Sequence, residues 1–138
     1  MASDDPSPWL YRARLEPEGV VDGDTIDVTV DLGFRLTRTI RLRLLGVDTA
    51  EIYGVERDSQ EYARGITHKN FVEGWLTEAD RRVDGDWPLL INTHKDDRGK
   101  FGRYLATVIR RTESGSWAMD ASLNDALLEK YGDEVHYE

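Results

Sequence analysis

The stretch from Thr25 to Leu32 alternates without a break, with Ile26, Val28, Val30 and Leu32 on one side and Thr25, Asp27, Thr29 and Asp31 on the other. A period of two is that of a half-buried strand, whose successive side chains point to opposite faces; a helix would scatter the four apolar residues around its axis. The segment therefore demands a sheet with one apolar face, which a second layer must cover. Turn residues on either side set its neighbours: Asp22-Gly23 before it and Gly33 after it are hairpin signals. Upstream, Tyr11 to Leu15 alternates apolar residues with Arg12 and Arg14. Downstream, Arg35 to Val47 places Leu36, Ile40, Leu42 and Leu44 on one face and Arg35, Thr37, Thr39, Arg41 and Arg43 on the other. Arg38 breaks that alternation, which predicts a bulge or a sheet edge there. Three strands joined by short turns predict a meander.

After the meander the period changes. From Glu56 to about Arg81, the residues Tyr62, Ala63, Ile66, Phe71, Val72, Trp75 and Leu76 fall on one helical stripe with no proline among them. Gly65 and Gly74 lower the helix propensity of the segment. Leu89 to Ile91 reads as a short buried strand, His94 to Lys100 as a charged loop, and Phe101 to Arg110 as a fifth strand. Glu113-Ser114-Gly115-Ser116 turns the chain, and Asp120 or Ser122 can cap a helix carrying Leu123, Ala126, Leu127 and Leu128. The order β-β-β-α-β-β-α predicts an α+β chain, mainly β, built as the five-stranded Greek-key barrel known as the OB-fold. The faces and loops of that barrel bind oligonucleotides or oligosaccharides. Residues 1–9 are expected to be a flexible lead-in and residues 10–138 one domain. His68 reads as a surface or packing residue of the helix rather than a catalyst, and Trp75 and Trp87 as core.

Charge narrows the function classes. The chain has 27 acidic residues against 18 basic ones, a formal net charge of −9, and 14 of the bases are arginine. A domain that held nucleic acid by bulk attraction would be basic, so any phosphate contact must come from a few placed cations. Many carboxylates with few lysines also suit life in very high salt, where a Debye length of about 3 Å leaves a negative surface little reach against a polyanion. With no cysteine there is no disulfide, no thiolate zinc site and no thiol nucleophile. No apolar run approaches the roughly 18–20 residues of a membrane span, and Met1 to Pro8 is acidic and polar. These features predict no membrane partner and a cytoplasmic protein, or one carried in a virus particle if the chain is viral.

Two segments place acids where strands meet loops. Asp24 opens the second strand, and Asp48 and Glu51 follow the third. Consecutive meander strands are neighbours, so the start of one and the end of the next can share an end of the sheet, which would bring Asp24 and Asp48 together. Two close carboxylates repel unless a cation joins them or one takes a proton, and a hard, oxygen-preferring divalent ion is the simplest resolution. Glu51, a short turn farther on, could hold a water beside it. Taken singly, Asp-Gly is a turn, Asp48 an Asx-turn residue and Glu51 a solvated loop residue. Arg43 before the acidic loop and Arg103 at the start of the fifth strand strengthen the combination. An ion, acids and two guanidinium forks suit a phosphodiester, whose transition state carries extra negative charge.

Three segments then stand out together: Asp22-Gly23-Asp24-Thr25, the run from Arg41 to Glu51 that reads RLRLLGVDTAE, and Lys100-Phe101-Gly102-Arg103-Tyr104-Leu105-Ala106. In that order and with these gaps they resemble the three signatures of the thermonuclease family, the staphylococcal-nuclease-like domains. Asn124-Asp125-Ala126-Leu127 is similar to that family's later helix motif. The resemblance runs from about Tyr11 to Gly132. It implies calcium-dependent cleavage of DNA and RNA that leaves 3′-phosphate ends. It also implies that Asp24, Asp48 and the main-chain carbonyl of Thr49 ligate calcium, that Glu51 positions or deprotonates the attacking water, and that Arg43 and Arg103 bind phosphate. Phe101 stands where the family has a tyrosine, and Tyr137 is the candidate for a late substrate-stacking tyrosine. The usual proline between Thr49 and Glu51 is Ala50, which predicts a looser loop. The competing readings are a non-catalytic barrel that binds nucleic acid or protein, and a structural component of a larger assembly such as a virus particle.

Overall fold

A computed structural model describes residues 9–95 and 104–136. Five strands close into one barrel: β1 (Trp9–Asp22), β2 (Thr25–Asp31), β3 (Thr37–Leu44), β4 (Leu89–Lys95) and β5 (Tyr104–Arg110), in the spatial order β1-β2-β3-β5-β4 with β4 returning to β1. Helix α1 (Gln60–Arg81) joins β3 to β4, and α2 (Leu123–Tyr131) with a 3₁₀ turn (Gly132–Val135) follows β5. This is the predicted α+β order and an OB-fold-like barrel. All neighbouring strands are antiparallel except β3 and β5, the pair separated in sequence by the helix. A parallel pair needs such a crossover. Among the described residues no helix is long and apolar enough to cross a membrane.

The meander forms as the alternation demanded. Ile26, Val28 and Val30 face Leu42 and Leu44 in a core shared with Ala13, Ile91, Ala106 and Val108. There is no bulge at Arg38, but the sheet edge that its break in the pattern also allows is there: β3 pairs with β5 only from Leu42 to Leu44, so among the described residues Arg38 has a partner strand on one side alone. Arg38 pairs in register with Val30, and the bulges lie in β1, between Leu15 and Val20 and between Val20 and Asp22. That is where a single long strand must bend, since its first half pairs with β4 and its second half with β2. β1 therefore runs seven residues past the predicted strand end at Leu15 and begins at Trp9. Leu32 and Leu36 keep the core parity but stand exposed at the hairpin tip, beyond the barrel wall. Trp87 is only half-buried, with the Arg14 guanidinium 4.3 Å over its ring.

The helices start at serine caps. Ser59 Oγ accepts from the Tyr62 N–H at 3.1 Å, so α1 begins four residues later than the stripe had suggested; Ser122 Oγ accepts from the Asp125 N–H at 3.0 Å. Val72, Trp75, Leu76 and Ala79 are the buried stripe of α1, and Leu123 and Leu127 that of α2. Asn124, also buried, takes the Val108 N–H at 3.1 Å and donates to the carbonyls of Leu45 (2.9 Å) and Ala106 (3.0 Å). One amide thus fixes α2 to β5 and to the end of β3, the strand that leads into the acidic loop.

Candidate functional site

The β2–β3 register brings the two acidic segments to one end of the barrel. Thr25 lies opposite Arg43, and the Leu44 N–H donates to the Asp24 carbonyl at 2.8 Å. Asp24 is therefore held beside the chain as it leaves β3. The residue is 5% exposed. Its carboxylate accepts from the Thr25 hydroxyl at 2.8 Å and from the Thr49 N–H at 3.0 Å. Arg43 Nη2 stands 3.6 Å from Asp24 Oδ2 and 3.1 Å from Asp48 Oδ1, and also donates to the Val47 carbonyl at 3.3 Å. Asp24, Arg43, Asp48 and Thr49, named from the sequence, thus form one cluster. Asp48 is the solvent-facing member and Asp24 the buried one. The loop's outer side is fixed by the Asp48 N–H donating to the Val135 carbonyl at 2.8 Å and by the bridge from Val47 to His136.

Glu51 lies on the same loop with its side chain exposed, and its N–H donates to Glu61 Oε2 at 2.9 Å. Alanine at position 50 does not leave the loop untied. The Ala50 N–H donates to His68 Nδ1 at 3.1 Å, a bond that a proline could not make. Because Nδ1 accepts, Nε2 carries the hydrogen and donates to Glu134 Oε1 at 2.7 Å. His68 is fully buried, with its ring edge-on to Tyr131 at 4.6 Å. It is a packing residue, as expected, with a second task that the sequence did not signal: it fastens the Glu51 loop to α1 and to the C-terminal turn.

Two glycines let the parts come this close. A Cβ on Gly65 would stand 2.4 Å from Ile52 Cγ2 and 2.9 Å from the carbonyl oxygens of Ala50 and Glu51; one on Gly23 would stand 2.8 Å from the Thr49 side chain and from His68 Cβ. Gly65, which counts against the helix on propensity, is the residue on which the loop rests.

Asp22 is the site residue that sequence reasoning missed, because it reads as the first half of an Asp-Gly turn. It is half-buried, and its Oδ1 accepts from the Asp24 N–H at 3.0 Å. Burial pushes its carboxyl up to about 7, helped by hydrogen bonding to and repulsion from the Asp24 carboxylate and, more weakly, by the charge of Glu51; only the Asp24 N–H opposes the rise. Crowded negative charge of this kind is what a divalent cation relieves. The donors are all hard oxygens, which suit calcium or magnesium. Among the described residues no group of three or more acidic, histidine or cysteine side chains is placed to hold a metal ion, so any cation here would rest on the Asp24 and Asp48 carboxylates with main-chain oxygen. Arg103, Phe101 and Tyr137 lie outside the described residues. No protein-family model matches the chain, and no curated protein does.

Proposed function

We propose that this chain is a divalent-cation-dependent nuclease that hydrolyses phosphodiester bonds of DNA or RNA and leaves 3′-phosphate ends. The observation that carries the reading is the junction of Asp24, Arg43 and Asp48 at the barrel end, with Glu51 on the loop tied down beside it. The order of the three sequence motifs supports the same reading.

The geometry supports a division of labour. Arg43 is half-buried and already oriented by two carboxylates and a carbonyl, so its fork is preorganised for non-bridging phosphate oxygens and loses little freedom on binding them. Calcium, held by Asp24, Asp48 and the Thr49 carbonyl, would supply further positive charge against the phosphate. Glu51, exposed on an anchored loop, would accept the proton of a water that attacks opposite the 5′-oxygen leaving group. Arg103 is assigned the second guanidinium role on its motif. The donors stabilise the more highly charged five-coordinate state more than the substrate, and that difference lowers the barrier.

The test is cleavage of single-stranded DNA and RNA with calcium and with chelator, in low and in molar salt. Calcium-dependent cutting is expected. Arg43→Ala and Glu51→Gln, each checked for an unchanged melting temperature, should slow it by about 10²–10³-fold, the loss typical of one preorganised group. Binding without cutting in every condition, or full activity in both folded variants, would sink the proposal.

A further inference from the structure

The opposite end of the β2–β3 hairpin carries a second feature. Parity explains it: Tyr11 is two residues from core Ala13, Leu32 two from Val30, Ile40 two from Leu42, and Tyr104 two from Ala106. All four side chains therefore continue the inner surface of the barrel past the point where the core ends. They wall an open mouth of about 160 Å³, floored by Val30 and Ile91. Thr93 supplies a hydroxyl. Among the described residues the single charged group on the lining is Arg38, the residue that broke the alternation of β3, and it forms no ion pair with any of them. Trp9, Leu10, Phe34 and Leu36 stand exposed at the same end. Phe34, 96% exposed, and Arg35 both hold left-handed backbone (φ 54° and 64°) at the hairpin tip. Most bulky apolar side chains that the described chain leaves in water are thus gathered around one mouth.

We infer that this mouth is a second nucleic-acid subsite, which takes one pyrimidine ring of a single strand and places the adjoining phosphate on Arg38; the inference rests on the nuclease reading. Size selects the ring. A cavity of about 150 Å³ holds one benzene-sized ring, so a space of 160 Å³ takes a six-membered base and leaves the sugar and phosphate at the lip. The walls favour a flat, partly apolar occupant, because tyrosine faces stack on bases and Thr93 offers a polar edge. Charge selects the anion: in a chain of net charge −9, an arginine with no acidic partner among the described residues, set on an aromatic rim, attracts phosphate. Distance permits one strand to use both ends of the barrel. Arg38 and Arg43 are five residues apart on β3, about 17 Å at the rise of a strand. That is within the reach of the roughly 4–16 nucleotides that one OB barrel occupies.

The test is anisotropy of fluorescent hexamers in chelator, where binding is read without cleavage. The full chain should bind oligo(dT) at least about five-fold tighter than oligo(dA). Arg38→Glu, which removes the phosphate contact, and Thr93→Phe, which fills the mouth, should each weaken oligo(dT) by about ten-fold. Melting temperatures verify that both variants fold, and the exposed Arg38 gives the safer variant. Thymidine 5′-monophosphate separates the sources. Affinity equal to the hexamer's identifies a free nucleotide as the occupant, and weaker affinity identifies a strand; either supports the pocket. Parity between oligo(dT) and oligo(dA), or unchanged binding by both folded variants, overturns it. The two proposals fail separately: calcium-dependent cleavage without an Arg38 effect sinks only the mouth, and Arg38-dependent binding without cleavage in any metal sinks only the nuclease.

Discussion

The two glycines of α1 allow a test in which the same substitution has opposite signs on one helix. Replacing glycine by alanine inside a helix ordinarily stabilises by about 0.5–1 kcal/mol, because the unfolded chain loses freedom and the helix gains a better former. Nothing lies within 4 Å of the place where a methyl on Gly74 would stand, so Gly74→Ala should show that gain in full. At Gly65 the same methyl would meet Ile52 Cγ2 at 2.4 Å and two backbone carbonyl oxygens at 2.9 Å. Ile52 can turn, but the carbonyls belong to Ala50 and Glu51 and move only if the loop lifts from the helix. Overpacking of this kind costs about 1–3 kcal/mol. Set against the same intrinsic gain, Gly65→Ala should come out destabilised by up to about 2 kcal/mol, and the two variants should differ by about 1–3 kcal/mol. Urea unfolding, with equal m-values for the two proteins, measures the difference directly. If the loop lifts, Glu51 lifts with it, so Gly65→Ala should also lose calcium-dependent cleavage while Gly74→Ala keeps it. Equal stabilisation by both substitutions would mean that residues 50–52 do not lie on α1, and the placement of Glu51 would fall with them.

Ala50→Pro, which introduces the residue usual in the thermonuclease motif that this stretch resembles, should destabilise this chain by about 1–3 kcal/mol in urea, because buried His68 Nδ1 would lose its donor; a neutral or stabilising result would remove the histidine from the loop's support. Asn124→Ala should lower stability by about 3 kcal/mol, since one truncation strips the Val108 N–H and the Leu45 and Ala106 carbonyls of a partner; an unchanged denaturation midpoint would refute that bridge. On the far end of α1, hydrogen bonds from Arg81 and then Arg82 hold the Glu78 carboxyl down at about 2. A depressed carboxylate stabilises the fold above its unfolded value of 4.5 and loses that contribution as pH falls toward 2. The denaturation midpoints of the wild type and Glu78→Gln, measured in low salt, should therefore differ at pH 7 and converge near pH 2; a gap that persists at low pH would show that the ion pairs are not its source.

What the sequence disclosed and what it hid divide along a physical line. Strand alternation is local, so β2 and most of β3 were legible residue by residue, and with them the neighbourhood of Asp24, Arg43 and Asp48, since antiparallel pairing of consecutive strands leaves little choice of end. The features that escaped depend on contacts between distant segments. The bend of β1 answers the need to pair with β4 and β2 at once, which no window of β1 records. Asp22 looks like half of a turn until Asp24 and Glu51 close around it. His68 looks like one more helix residue until the loop and the C-terminal turn supply its two hydrogen-bond partners, 18 and 66 residues away. Gly65 and Arg38 are the sharper cases, because each violated a local rule. A glycine inside a helix costs stability, and a cation on a core-parity position escapes the cost of a buried charge only because Arg38 stands exposed. The fold places one beneath the loop that bears Glu51 and the other at the open mouth of the barrel. In this chain the two exceptions mark where the helix carries the loop of Glu51 and where the barrel wall opens at its far end, two places that the regular strands do not single out.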